Sequence, residues 1–239
     1  LDENITLAYE WLVENYNEGD EIFIFGFSRG AYTARSLAGL VAFEGILQPG
    51  SPIGIAELFE RHKEGGLSIW KLEEVLDSGE HYDFTLQDQW LLKYSRPAQV
   101  TMVGVWDTVG SLGWEKGNIP AISRSSFSYL QTGLRIHILN AYHALAIDEH
   151  RQDFSPTLWD VRQQIAAKPR PRSSVEQRWF VGAHANVGGG YPTDLLAQAP
   201  LRWMIQKATA HGLTFRTDVA LDGYIVQLAL ARGGRERHG

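Results

Sequence analysis

The stretch from Ile22 to Arg35, IFIFGFSRGAYTAR, constrains the fold more than any other. Four consecutive apolar residues, Ile22 to Phe25, predict a short strand buried on both faces, as strands of a parallel sheet are. Gly26-Phe27-Ser28-Arg29-Gly30 follows and matches G-x-S-x-G. From Ala31 onward the residues suit a helix that turns Ala34, Leu37, Ala38 and Val41 to one side. A strand, a sharp turn and a helix around such a serine push its hydroxyl clear of the sheet. Strand and helix approach closely there, so small residues are expected two positions either side of the serine. Gly26 and Gly30 supply them. Taken alone, Ser28 also fits an ordinary N-cap serine in a glycine-rich turn.

Ahead of this elbow, Asn4 to Tyr16 places Ile5, Ala8, Tyr9, Leu12 and Tyr16 at helical spacing, and NEGD at Asn17–Asp20 turns the chain into the strand. The elbow strand is therefore the first strand of the sequence. After the elbow helix and a glycine–proline loop, helices are expected near Ile55–His62 and Ser68–Leu76. The segment 55–95 reads either as a cap over a site or as a surface helical insertion. Its aromatics, Trp70, Tyr82, Trp90 and Tyr94, either line a pocket or pack.

Val100–Trp106 is the next buried strand and runs into Asp107. Ligands of open α/β sheets bind at such C-terminal strand ends, although an aspartate there also reads as a turn residue. Leu112–Ser128 reads as a loop. Leu134–Ile147 is apolar with a helical period and holds His137 and His143; Asp148-Glu149-His150-Arg151 follows. His143, Asp148 and His150 lack the spacing of a helical His-x-x-x-His pair, so no metal site is expected. Ala167–Ser174, which carries Lys168, Arg170 and Arg172, reads most simply as a solvated connection and otherwise as an anion-binding patch. Gln177–Val181 is a third strand, and it delivers His184 into a loop made pliable by glycine. His184 fits a catalytic base there, or a structural histidine that ties the loop down. The glycine run after it lacks the lysine of a phosphate loop, so no cofactor is expected. Ala199–His211 predicts a helix, and Val219–Arg232 another.

Composition bounds the rest. With 239 residues and 44% hydrophobic content, the chain suffices for a single domain with its own core. A net charge of −6 gives no basis for general attraction to nucleic acid. The absence of cysteine removes disulfides, a thiol nucleophile and thiolate metal sites. No signal peptide or transmembrane segment is visible, so the default compartment is cytoplasmic. The sequence opens on leucine and enters a helix almost at once, as an excerpt from a longer protein would.

Ser28, Asp107 and His184 thus stand at three strand ends, in the chain order Ser–Asp–His that α/β-hydrolases use. Such a set would let His184 take the serine proton as the hydroxyl attacks an ester, with Asp107 fixing the imidazole. The backbone N–H of Arg29 would donate to the oxyanion. A second donor is expected from a region ahead of Leu1.

Four blocks, GFSRGAYTAR, GVWDTVG, YHALAIDEHR with its following F-x-P-x-LW, and WFVGAHANVGGGY, together resemble the α/β-hydrolase family that includes the type VI secretion lipase effectors. The resemblance runs from about residue 4 to about residue 212, with the blocks in the family's order. It implies an α/β-hydrolase-like, mostly parallel sheet flanked by helices, forming one catalytic domain over residues 1–239 that lacks its N-terminal strands. It also implies a triad of Ser28, Asp107 and His184; should Asp107 not serve, Asp148 is the reserve choice for the acid. The implied substrates are phospholipid acyl esters, met by transient contact with a membrane surface. Two departures stand out. No Asp-Gly-Thr strand precedes Leu1, and His184-Ala185-Asn186 replaces the family's usual His-Ser-Asp. The rival expectation is a catalytically incomplete module that binds lipid or a protein partner.

Overall fold

In the computed structural model, which describes residues 2–109, 134–159, 171–191 and 195–216, the chain opens with helix α1 (Asp2–Asn15). Strand β1 (Ile22–Phe27) turns at Ser28 into helix α2 (Arg29–Glu44). A two-residue strand β2 (Ile46–Leu47) leads out to helices α3 (Ile55–Glu64), α4 (Ile69–Ser78) and α5 (Leu86–Tyr94). Strand β3 (Ser95–Arg96) brings the chain back by pairing antiparallel with β2. Strands β4 (Val100–Trp106), β5 (Ile138–Ala146) and β6 (Val175–Phe180) follow, and then helices α6 (His184–Gly188) and α7 (Gln198–Ala210).

The main sheet has the order β1-β4-β5-β6, and every pairing in it is parallel. Helices cover both faces, as a parallel sheet requires. Along β4 the side chains divide between two cores. Val103 and Val105 join the core built with α1 and α2, while Met102 and Trp106 pack with Trp203 and Met204 of α7 on the other face. This is an α/β fold with a mostly parallel sheet between helical layers. Burying one such aliphatic side chain contributes roughly 1.5–3 kcal/mol, so the central strands anchor the whole sheet edge above them.

One expectation is corrected. Leu134–Ile147 is not a helix: Ile138–Ala146 is strand β5, paired on both sides. A strand buried on both faces loses the apolar–polar alternation that marks a strand, and the Ala- and Leu-rich run ILNAYHALA mimics a helix former. The β6 strand is accordingly the fourth of the sheet, not the third.

Segment 55–95, read either as a cap or as a surface insertion, packs against α2 and the start of β5. Helix α2 has 16 residues, so at ~1.5 Å per residue it carries the chain well away from Ser28 before the segment begins. Trp70 Nε1 donates to the Ala42 carbonyl at 3.0 Å, and the Trp70 ring stacks on His137, just ahead of β5, at 3.9 Å. The insertion therefore closes the N-terminal end of the sheet. Its aromatics Trp70, Tyr82 and Trp90 pack against the α2 core.

Leu112–Ser128, the 167–170 part of the basic connection and Val219–Arg232 lie outside the described residues. No helix among the described residues is long and apolar enough to cross a membrane.

Candidate active site at the C-terminal edge of the sheet

Ser28 ends β1 with φ 59° and ψ −123°, one of two non-glycine residues at positive φ among the described residues. A non-glycine residue held there costs of order 1–3 kcal/mol, so the surrounding structure must impose it. The Ser28 N–H donates to the Trp106 carbonyl at 3.0 Å, pinning the turn to β4. Its hydroxyl makes no capping bond to α2. Instead Oγ lies 2.8 Å from His184 Nε2.

The two glycines flanking the Ser28 turn behave differently. A Cβ on Gly26 would lie 2.4 Å from the Gly30 carbonyl oxygen and 2.7 Å from Ala31 Cα, so this position admits nothing larger. A Cβ on Gly30 would meet nothing within 4 Å among the described residues. The crowding expected at both positions thus exists only at Gly26, where the backbone of Gly30 creates it. The N–H groups of Ala31 and Tyr32 return to the Ser28 carbonyl, whereas the Arg29 N–H has no backbone acceptor among the described residues.

Asp107 is the other positive-φ residue, at 39°, and its side chain is fully buried. Its N–H donates to the Ala144 carbonyl at 2.7 Å, and Oδ1 accepts from the Ala146 N–H at 3.0 Å. The other oxygen, Oδ2, lies 2.7 Å from His184 Nδ1. Strand β5 therefore holds the carboxylate by its backbone while the imidazole meets its free side.

His143 braces the next residue. The Thr108 N–H donates to His143 Nε2 at 3.0 Å, which puts the ring proton on Nδ1. Burial, and then the nearby Arg35 charge, push His143 down to about 3, so it stays a neutral acceptor. The Thr108 carbonyl accepts from the Thr157 N–H at 2.8 Å, tying the Asp107 turn to the FSPTLW segment.

His184 follows β6 as the first residue of the short helix α6, not in a pliable loop. Asn186, the departure from His-Ser-Asp, accepts the Ala183 N–H at 3.0 Å and so closes the start of this helix. The His184 ring sits between Phe27, with centroids 4.6 Å apart, and Phe154, edge-on at 4.8 Å. Phe27 reaches it because residue 188 is glycine: a Cβ there would fall 2.0 Å from Phe27 Cε2.

Ser28, His184 and Asp107 are thus brought into one hydrogen-bonded chain, and Asp148 is not. Asp148 Oδ2 accepts the Gly182 N–H at 2.7 Å, latching the end of β5 to the end of β6. Among the described residues no three His, Asp or Glu side chains gather to hold a metal ion.

Sequence reasoning missed Glu149. Its side chain, only 4% exposed, accepts the His184 backbone N–H at 3.2 Å. Hydrogen bonds from Arg151, and then from backbone N–H groups, bring its carboxyl down to about 2. Reading Leu134–Ile147 as a strand would have put Asp-Glu-His-Arg at the C-terminal sheet edge, where Glu149 belongs. Beside the site, a cleft of about 410 Å³ is lined by Phe25, Phe27, Trp106, Gly188, Tyr191 and Leu201.

Fold and site define an α/β protein in which a hydroxyl, an imidazole and a carboxylate meet at the C-terminal edge of a parallel sheet. The chain belongs to the family of type VI secretion phospholipase effector Tle1-like catalytic domains, whose family model matches residues 1–207. Among curated proteins it is similar to an uncharacterized protein of Saccharomyces cerevisiae, 28% identical over 157 residues. That match covers 64% of this chain and 21% of the yeast protein, so the chain spans about a fifth of that relative's length.

Among solved structures it is similar to an uncharacterized protein from Pseudomonas aeruginosa, with 18% identity and a TM-score of 0.48 over 90% of this chain and 28% of that one. It is also similar to the Tle1 effector bound to the VgrG spike of the type VI secretion system. There the identity is 19% and the TM-score 0.36, over 80% of this chain and 30% of that one.

Proposed function

We propose that the chain is a serine esterase of the α/β-hydrolase type that cleaves lipid acyl esters, phospholipids foremost, through Ser28, His184 and Asp107. The observation that carries this reading is the continuous contact from hydroxyl to imidazole to carboxylate, 2.8 Å and then 2.7 Å, at a serine in strained backbone that caps nothing. Family membership supports the lipid ester class. The apolar cleft lined in part by Phe27, whose ring meets that of His184, offers room for an acyl chain.

His184 Nε2 accepts the Ser28 proton as Oγ attacks the ester carbonyl, and Asp107 stabilises the imidazolium that forms. The oxyanion takes a hydrogen bond from the Arg29 N–H, a contact whose loss typically costs ~3 kcal/mol of barrier. His184 then protonates the departing alcohol. Water, deprotonated by the same imidazole, adds to the acyl-serine carbonyl, and His184 returns that proton to Ser28 Oγ as the C–Oγ bond breaks and the fatty acid leaves.

A fluorophosphonate probe tests the reading directly. The wild-type chain should label and hydrolyse both p-nitrophenyl esters of rising chain length and phospholipid vesicles, and Ser28→Ala should abolish both. A folded wild-type chain that neither labels nor hydrolyses any of these would leave a binding module instead. Activity confined to acetyl esters would remove the lipid assignment.

A further inference from the structure

Glu149, Arg151 and Phe154 form a clasp outside the three reacting groups, and it reaches His184 at two points. The Arg151 guanidinium bonds both Glu149 oxygens, Nε to Oε1 at 2.9 Å and Nη2 to Oε2 at 2.7 Å. The Arg151 backbone N–H adds a third bond to Oε1 at 2.8 Å. With its geometry set by this fork, Glu149 Oε2 accepts the His184 backbone N–H at 3.2 Å.

The same guanidinium lies 3.8 Å over the Phe154 ring. Phe154 in turn meets the His184 ring edge-on, at 71°. One planar cation therefore fixes both the backbone anchor of the imidazole and the ring that limits its swing. Arg is suited to this because its plane can fork to a carboxylate and stack on an aromatic face at once.

We propose that Glu149, locked by Arg151, is the positioning residue that holds His184 in register between Ser28 and Asp107, with Phe154 as the stop for its ring. This rests on the esterase reading of Ser28 and His184. The clasp touches neither the hydroxyl nor the carboxylate of Asp107, so it acts on orientation alone. Misplacement by about 1 Å costs on the order of 100-fold in rate.

The test uses the same chain, a soluble short-chain ester and the fluorophosphonate probe. Glu149→Ala should lower kcat and the labelling rate by roughly 10- to 100-fold, with KM within about twofold and cooperative unfolding retained. Glu149→Gln keeps an acceptor for the His184 N–H but loosens Arg151, and should fall between Glu149→Ala and wild type. Arg151→Lys, which keeps the charge and loses the fork and the stack, should also slow the reaction. The double variant Glu149→Ala/Arg151→Ala should be slower than Glu149→Ala only by what the Phe154 contact adds, so its total loss stays below the two single effects combined.

A second readout needs no turnover. In chain carrying isotope-labelled histidine, with the His184 signal assigned through His184→Gln, the Nδ1 proton shared with Asp107 should exchange faster with water in Glu149→Ala. Folded Glu149→Ala with kcat within twofold of wild type and unchanged exchange would overturn the proposal. If Glu149→Ala does not fold, the same criteria apply to Glu149→Gln and Arg151→Lys. A wild-type chain without labelling or hydrolysis would defeat the esterase reading. The exchange measurement would then decide the clasp by itself: faster exchange supports it, unchanged exchange removes it.

Discussion

His184 and His62 each meet a buried carboxylate through Nδ1, at 2.7 Å from Asp107 and 3.1 Å from Glu44, yet their surroundings are opposite. Glu44 stands at the end of α2 and shares its carboxylate between His62 and Arg61. Arg61 also bonds Asp88 and the Leu67 carbonyl, each at 2.7 Å. These groups are spent on one another, and they fasten α3 and α5 to α2. Asp107 and Ser28 instead lie at strand ends in strained backbone, and His184 leaves its Nε2 to a hydroxyl. A buried histidine–carboxylate pair is therefore no mark of a site. What sets the Asp107–His184 pair apart is its third group, a hydroxyl at a sheet edge with backbone strain beneath it.

The largest effect that could break this contrast belongs to Asp107→Asn. The amide keeps an acceptor for the Ala146 N–H but favours the wrong imidazole tautomer, so kcat should fall about 10⁴-fold with the fold retained. Ester hydrolysis under saturating substrate measures it. Near-normal turnover would make Asp107 as structural as Glu44 and return the acid role to Asp148.

Next comes Glu44→Gln, which leaves Arg61 short of a buried counter-charge and should cost about 3–5 kcal/mol of stability. Urea unfolding reads that loss, and kcat of the still-folded protein should stay within a fewfold of wild type. A loss of kcat without a loss of stability would merge the two clusters into one functional unit.

The smallest effect sharpens the comparison with a third buried histidine. His143 stays neutral in the fold down to about pH 3, while in the unfolded chain it titrates near its ordinary 6.5. Between those values the unfolded chain binds a proton that the native one refuses, so stability falls as pH falls from about 6.5 towards 3. His143→Gln keeps an acceptor for the Thr108 N–H and removes this contribution. Its melting temperature should drop less than that of wild type between pH 7 and 5.5, a difference worth about 1 kcal/mol. Parallel pH profiles for the two proteins would show that His143 does not titrate on unfolding.

Much of the architecture was legible in short stretches. The run IFIF before a glycine, VTMVGVW before an aspartate, and the helical spacing of residues 4–16 each carry their structure locally, because burial on one or two faces leaves a repeat in the sequence. Strand β5 was not legible: its neighbours on both sides supply its hydrogen bonds, and no period survives in a strand with two apolar faces. That single misreading also hid Glu149, whose place follows from where β5 ends. The helical segment after α2 was recognisable as helices but not as a far-end insertion, since only the length and direction of α2 decide which end of the sheet it reaches.

The sequence by itself determined the strand, turn and helix around Ser28 and the three strand ends near which Ser28, Asp107 and His184 stand. Those are matters of local backbone and side-chain size. The structure showed that of the two flanking glycines only Gly26 is crowded. Only the tertiary structure decided that Ser28 and His184, 156 positions apart, lie within hydrogen-bonding distance. It alone set Asp148 to latch a loop and aimed Glu149 at His184. Contacts between distant strand ends depend on sheet order and register, which the packing of all the strands sets together.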